Sequence, residues 1–261
     1  MKFTFNFTVV RYFPLLSLVL IIACGPASQN ANTQEPSNPA YKGFNLAGSD
    51  KKAITIADQA MEAMGGRAAW DATRYIEWNF FGFRKLTWDK LQKRVRIEIP
   101  RDSMILLTNY ETGQGKAMVG SKEITEADSL AKLMTRAKNM WINDSYWLVM
   151  PFKLKDSGVT LKHLGADSTA RGEAAELLSL TFEGVGVTPQ NKYHVWVSQA
   201  DGLVKQWAYF SQASDDSARI TTPWIDYQQH GSILLSSERG ERDLSEVAVY
   251  ENLEDKVFTD F

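Results

Sequence analysis

The sequence predicts a single α+β domain whose sheet is mostly antiparallel. Two stretches carry apolar residues at helical spacing, a succession of short stretches alternates apolar with polar residues, and an Asp-Gly pair joins two of these. With 261 residues, 44% apolar and 23% charged, the chain is long enough to bury one core and shows no collagen-like or disordered bias.

Ahead of that domain the chain carries Lys2 and Arg11, then an apolar stretch from Tyr12 to Ile22 that ends in Ile21-Ile22-Ala23-Cys24-Gly25. The stretch is too short for a permanent bilayer span and stops at a small residue, which is the pattern of a cleaved signal peptide over residues 1–23. Cys24 is the only cysteine. Ile-Ile-Ala-Cys resembles the lipobox of bacterial lipoproteins, whose cysteine becomes the acylated N-terminus, so Cys24 is the expected lipidation site and no disulfide is expected. Residues 24–48 are rich in Pro, Ser, Asn, Gln and Ala and read as a flexible tether, which leaves 49–261 as the folded domain.

From Asp50, the positions Ile54, Ala57, Met61 and Met64 define one face of a helix that Gly65-Gly66 stops. Strands are predicted at Tyr75 to Arg84, where Val95, Ile97 and Ile99 alternate with Arg94, Arg96 and Glu98, at Met104 to Tyr110, and where Leu178, Leu180 and Phe182 alternate with Ser179, Thr181 and Glu183. Further strands fall at Lys192 to Ser198, Leu203 to Ser211, Arg219 to Gln229, Ile233 to Ser237 and Glu246 to Asn252, with Asp201-Gly202 as a tight hairpin turn. A second helix follows Thr125, which forms a capping pair with Asp128, and presents Leu130, Leu133, Met134, Ala137 and Trp141 on one face. Pro151 should stop it near Met150.

Motifs for catalysis are missing. No Gly-x-Ser-x-Gly occurs, and the three histidines (His163, His194, His230) form no metal-binding pair. His194 reads as a half-buried strand residue, Gly113-Gln114-Gly115-Lys116 as a hairpin turn, and Asp215-Asp216 as a loop. No cofactor and no enzymatic activity are therefore expected. The net charge is −2; Lys2 and Arg11 leave with the leader, which makes it −4. That balance argues against nucleic acid as a partner, and the cluster Lys90, Lys93, Arg94 and Arg96 reads as a solvated strand face.

What stands out is apolar. Trp141, Tyr146, Trp147, Met150 and Phe152 lie within twelve residues, inside or just after the second helix. The run Tyr146 to Phe152 is seven residues, against about twenty for a membrane span. Two readings stay open: these side chains close an ordinary helix-on-sheet core, or they line the wall of a cavity for an acyl chain or similar ligand.

The lipobox, the helix ending in Met64-Gly65-Gly66, the antiparallel strand succession and the Trp141-to-Leu154 segment together resemble Bacteroidetes-type lipoproteins related to the LolA/LolB periplasmic lipoprotein-carrier superfamily. The resemblance implies a strongly curved, mostly antiparallel half-barrel capped by helices, with an apolar cavity between them. Its functional implication is a lipid-anchored, non-enzymatic envelope protein that binds an apolar ligand; the alternative is an interaction lipoprotein that docks onto an envelope partner. The expected partners are the membrane, reached through acylated Cys24, and an apolar ligand; no feature names a protein partner. Gly25 stands where an inner-membrane retention Asp could, so the expected location is the outer membrane, on its periplasmic face.

Overall fold

Ala53, Ile56, Ala57, Ala60 and Met61 recur every three or four residues and are all buried, which folds Lys51–Ala63 into α1 with one apolar stripe. In this computed structural model, which describes residues 1–6, 8 and 36–261, Pro36–Phe261 form one unit. Cys24, nearly all of the expected leader and residues 24–35 lie outside the described residues. The buried stripe of α1 is rotated from the one predicted: Ile54 is only half-buried, and Ala53, Ile56 and Ala60 replace it.

The rest is α2 (Gly66–Ala72), β1 (Tyr75–Phe80), β2 (Arg84–Asp89), β3 (Arg94–Ile99), β4 (Met104–Asn109), β5 (Gly115–Val119), β6 (Lys122–Glu123), α3 (Ala127–Val149), β7 (Val159–Ser168), β8 (Ala174–Phe182), β9 (Lys192–Ser198), β10 (Val204–Phe210), β11 (Ile220–Pro223), β12 (Ile225–His230), β13 (Ile233–Glu238), β14 (Leu244–Tyr250) and α4 (Lys256–Thr259). Strands order as β14-β1-β2-β3-β4-β5-β6, as β11-β10-β9-β8-β7 and as the hairpin β12-β13, every ladder antiparallel. The hairpin links the two larger sheets along the chain, and among the described residues no ladder closes into a barrel. This is the predicted α+β half-barrel, divided into three ladders instead of one sheet.

Two predicted strands run across a break; the first holds β1 and only Arg84 of β2, the second holds β11 and most of β12. Tyr75 to Arg84 breaks at Phe81-Gly82-Phe83, where Phe81 and Gly82 take φ of 55° and 73° and the Asn79 side chain accepts from Gly82 N at 2.9 Å. Arg219 to Gln229 breaks at Trp224, which is 1% exposed and separates β11 from β12; Asp226, with φ 59°, is a further irregularity inside β12, unpaired between the Ile225–Glu238 and Tyr227–Ser236 pairs. β7 and β8 pair along almost their full lengths, although the sequence flagged only the latter.

α3 covers the seven-stranded sheet, with Met134, Ala137, Leu148 and Val149 packed among Ile97, Leu106 and Ala117. Its approach requires Gly115: a Cβ there would lie 2.3 Å from Met134 Sδ and 2.0 Å from the Leu107 carbonyl oxygen. α1 covers the five-stranded sheet through alanines set against Leu161, Leu178, Leu180 and Val195. Glu126, not Thr125, caps α3 by accepting from Asp128 N (3.0 Å) and Ser129 N (2.7 Å). The helix ends at Val149, next to Met150 as predicted, and Met150–Lys153 form a 3-10 turn with Pro151 in its first residues.

The folded unit starts earlier than composition suggests. Asn38 is 5% exposed and bonds Asp58 at 2.8 Å, Tyr41 N reaches Lys155 O, Asn45 N reaches Val159 O and Asp50 N reaches Leu161 O. These ties are polar and mostly main-chain, which is why a count of large apolar residues misses them. The predicted solvated face of β3 is likewise half covered. Arg94 pairs with Asp255 at 2.6 Å and lies over the ring of Phe258, while Arg96 donates to the carbonyl oxygens of Val257 and Asp260.

A candidate aromatic site beneath helix α3

The second half of α3 carries aromatic side chains down onto both sheets. Trp141 stacks on Tyr110 (3.7 Å between centroids, 11°) and sets an edge against Trp88 on the seven-stranded sheet. Tyr146 lies on the other side, 5.3 Å from Tyr193 and 6.4 Å from Phe182 of the five-stranded sheet. Trp147 bridges the two, edge-on to Trp207 at 4.7 Å and to Phe81 at 5.2 Å. Phe81 is a bulky residue at positive φ, a conformation that persists only where surrounding contacts impose it; its own contacts are Phe80 and Trp147.

The five residues singled out in sequence therefore divide. Met150, fully buried, belongs to the core over the five-stranded sheet, and Phe152 stacks on Trp70 (4.4 Å, 13°) in the other. Trp147 alone touches both. The strand-borne half of the site, Tyr193, Trp207 and Phe182, was not singled out in sequence. Its signal was the period-two pattern Tyr193, Val195, Val197, which puts all three on the inner face of β9.

Polar ties fasten this helix to the sheets. Arg84 of β2 grips Asp144 of α3 with two bonds of 2.5 and 2.6 Å, and the Asp144 side chain has no solvent exposure. Arg239, 4% exposed and lying over Trp224, donates twice to the Trp147 carbonyl oxygen (3.2 and 2.9 Å) and also to the carbonyl oxygens of Ser236 and Glu238. Burial pushes its pKa down to about 9, which still leaves it cationic at neutral pH.

Among the described residues four buried donors of the two cores find no partner: Trp78 Nε1, Trp141 Nε1, Trp207 Nε1 and the Tyr146 hydroxyl. Burial holds the Tyr146 phenol well above its usual range, so the hydroxyl keeps its proton. Buried polar groups are nearly always hydrogen-bonded; of these four, Trp78 and Trp141 lie in the core over the seven-stranded sheet, and Tyr146 and Trp207 in the core over the five-stranded one. The packing is otherwise close. A cleft beside Phe152, bounded by Asn38, Tyr41, Met61, Arg67 and Leu154, holds about 10 Å³, near the limit for one water molecule.

Among the described residues no three His, Cys, Asp or Glu side chains gather as a metal site, and no helix is long and apolar enough to cross a membrane.

No family model matches the chain, and no curated protein matches it. Among solved structures, a DUF1329 family protein from Desulfovibrio piger is similar at 13% identity and TM-score 0.42, over 80% of this chain and 97% of that one. A LolA superfamily protein from Nitrosomonas europaea is similar at 13% identity and TM-score 0.40, over 79% of this chain and 97% of that one.

Proposed function

We propose that this protein is a lipid-anchored, non-enzymatic component of the cell envelope that binds an apolar ligand between α3 and the inner faces of the sheets. The orphan Tyr146 hydroxyl and Trp207 Nε1, which share the core between α3 and the five-stranded sheet, carry this reading. An apolar molecule bearing a hydrogen-bond acceptor would satisfy groups that the closed protein leaves unpaired, and Trp147, Tyr193 and Trp207 would flank its apolar part. Because the space is filled, binding requires α3 to lift, with Arg84–Asp144 and the Arg239 bonds to Trp147 as the polar contacts that would open or stretch.

Tyr146 gives a test whose sign an ordinary core residue would not share. Tyr146→Phe removes the orphan hydroxyl and should raise stability by about 1 kcal/mol in urea denaturation. The same change should weaken displacement of a fluorescent fatty-acid probe about ten-fold, the equivalent of one lost hydrogen bond. Native mass spectrometry on protein carrying Cys24→Ala should show a co-purified apolar ligand; empty spectra together with an unmoved probe would sink the reading.

The tight interior favours a second reading, an interaction lipoprotein whose aromatic cluster is ordinary core. Cross-linking in cells separates the two, since such a module should trap one dominant protein and a carrier should trap lipid. In both readings the anchor is Cys24. Cys24→Ala should move the protein out of the salt-washed membrane pellet, and retention there would count against acylation.

A further inference from the structure

Arg239 follows β13 directly and is 4% exposed, yet among the described residues no carboxylate pairs with its guanidinium. Glu238 pairs with Arg171 at 2.7 Å, Glu241 is exposed, and Asp243 accepts from the Arg239 main-chain N at 2.7 Å. Burial holds the Tyr227 phenol well above its usual range, so it stays neutral and donates to Val204 O at 2.9 Å. The guanidinium places its donors on uncharged oxygens instead: Nε and Nη2 on Trp147 O, Nη1 on Ser236 Oγ (2.9 Å) and Glu238 O (2.8 Å), and Nη2 also on Ser236 O (3.0 Å). These dipoles satisfy the donors without cancelling the charge, and a buried charge is ordinarily met by an opposite one.

Trp147 O can serve Arg239 because it belongs to the last turn of α3, where the carbonyls lack partners within the helix. Nε and Nη2 form the flat edge of an arginine that meets a carboxylate through two parallel bonds. Here both converge on one oxygen, at 3.2 and 2.9 Å. When α3 lifts, as the ligand reading requires, that oxygen leaves and the edge loses the acceptor it shares. The surface beside it is aromatic: the guanidinium lies over Trp224 at 3.6 Å, Trp224 meets Trp207 edge-on at 6.4 Å, and Trp207 lies 5.1 Å from Tyr193.

We propose that the ligand is a long-chain carboxylate: its head takes the Nε–Nη2 edge of Arg239 in place of the Trp147 carbonyl oxygen, and its hydrocarbon chain lies along Trp224, Trp207 and Tyr193. The inference rests on the ligand reading above and deepens it by assigning the ligand's head a charge and a partner. A monoanion complements one buried cation. A neutral ester would leave that cation unpaired, and a dianion would bury a second charge with nothing to meet it.

The test titrates laurate and methyl laurate into the full chain with Cys24→Ala, so that no acyl group competes, and reads tryptophan fluorescence. Laurate should bind about thirty-fold more tightly than its ester, the worth of a charge-assisted pair of bonds. Arg239→Lys, which keeps the charge but not the flat edge, should weaken laurate about ten-fold and leave the ester unchanged. Arg239→Met should erase the preference for the acid. The comparison of acid with ester needs no change at Arg239, so it decides even where a variant fails to fold. Equal affinity for acid and ester would overturn the proposal while leaving an apolar ligand site standing, and binding of neither would overturn the site as well. Equal losses of acid and ester in Arg239→Lys would mark Arg239 as a tie for α3 alone and would also overturn the proposal.

Discussion

Asp144→Ala is expected to lower the unfolding free energy by about 3–5 kcal/mol, because it strands the Arg84 guanidinium against α3 with no counter-charge. Arg84 keeps 19% of its side chain accessible, so water recovers part of the loss and the lower end of the range applies. The double change Arg84→Met with Asp144→Leu removes both charges and should recover most of the stability, since buried pairs are often replaceable by apolar residues of similar size. Urea denaturation of Arg84→Met, Asp144→Leu and the double closes the cycle. Additive losses would show that the two bonds of 2.5 and 2.6 Å do not couple α3 to β2. The same cycle read on ligand affinity separates a stability role from a gating role: a tie that opens on binding should, when removed, leave affinity unchanged or raised.

Phe152→Ala should cost about 3–5 kcal/mol, the usual range for deleting a buried aromatic ring. The ring is 2% exposed and stacked on Trp70, and its loss joins a new void to the small cleft already beside it. Phe152→Leu should cost clearly less, because most of the volume survives. Thermal unfolding of both variants gives the ordering, and equal losses would mean that stacking on Trp70, not volume, dominates. Residues 150–154 form the joint between the two cores, with Phe152 in one and Met150 and Leu154 in the other, so this loss should not stay local.

The sequence made α1 and α3 legible because each buries one stripe at helical spacing, and Asp201-Gly202 made the β9–β10 turn legible because Gly202 takes φ of 74°. Where a turn used residues that do not advertise it, reading failed. Phe81 occupies a position that favours Gly or Asn, and the break between β11 and β12 falls at Trp224, a buried residue whose N still bonds the Lys205 carbonyl oxygen of β10. β7 was missed because only its first residues bury apolar side chains, while Ala166, Asp167 and Ser168 are exposed. The candidate site was half legible for a similar reason. Its helical members are neighbours in sequence, whereas Tyr146 meets Tyr193 and Trp147 meets Trp207 only because two strands, β9 and β10, bring them there. Arg84–Asp144 links residues sixty apart, and no local pattern announces such a pair.

The stretch of chain from Asn45 to Asp50 lies against β7, bonding the carbonyl oxygens of Val159 and Leu161, while the Asp50 carboxylate accepts from His163 N. β7 ends the five-stranded sheet, and an open strand end-row is a template on which other chains add and aggregate. The segment that composition reads as a mere connector is thus a solubility device: it occupies the first half of that row, and a chain trimmed back to Ser49 would lose the Asn45–Val159 bond and present part of that row for self-association.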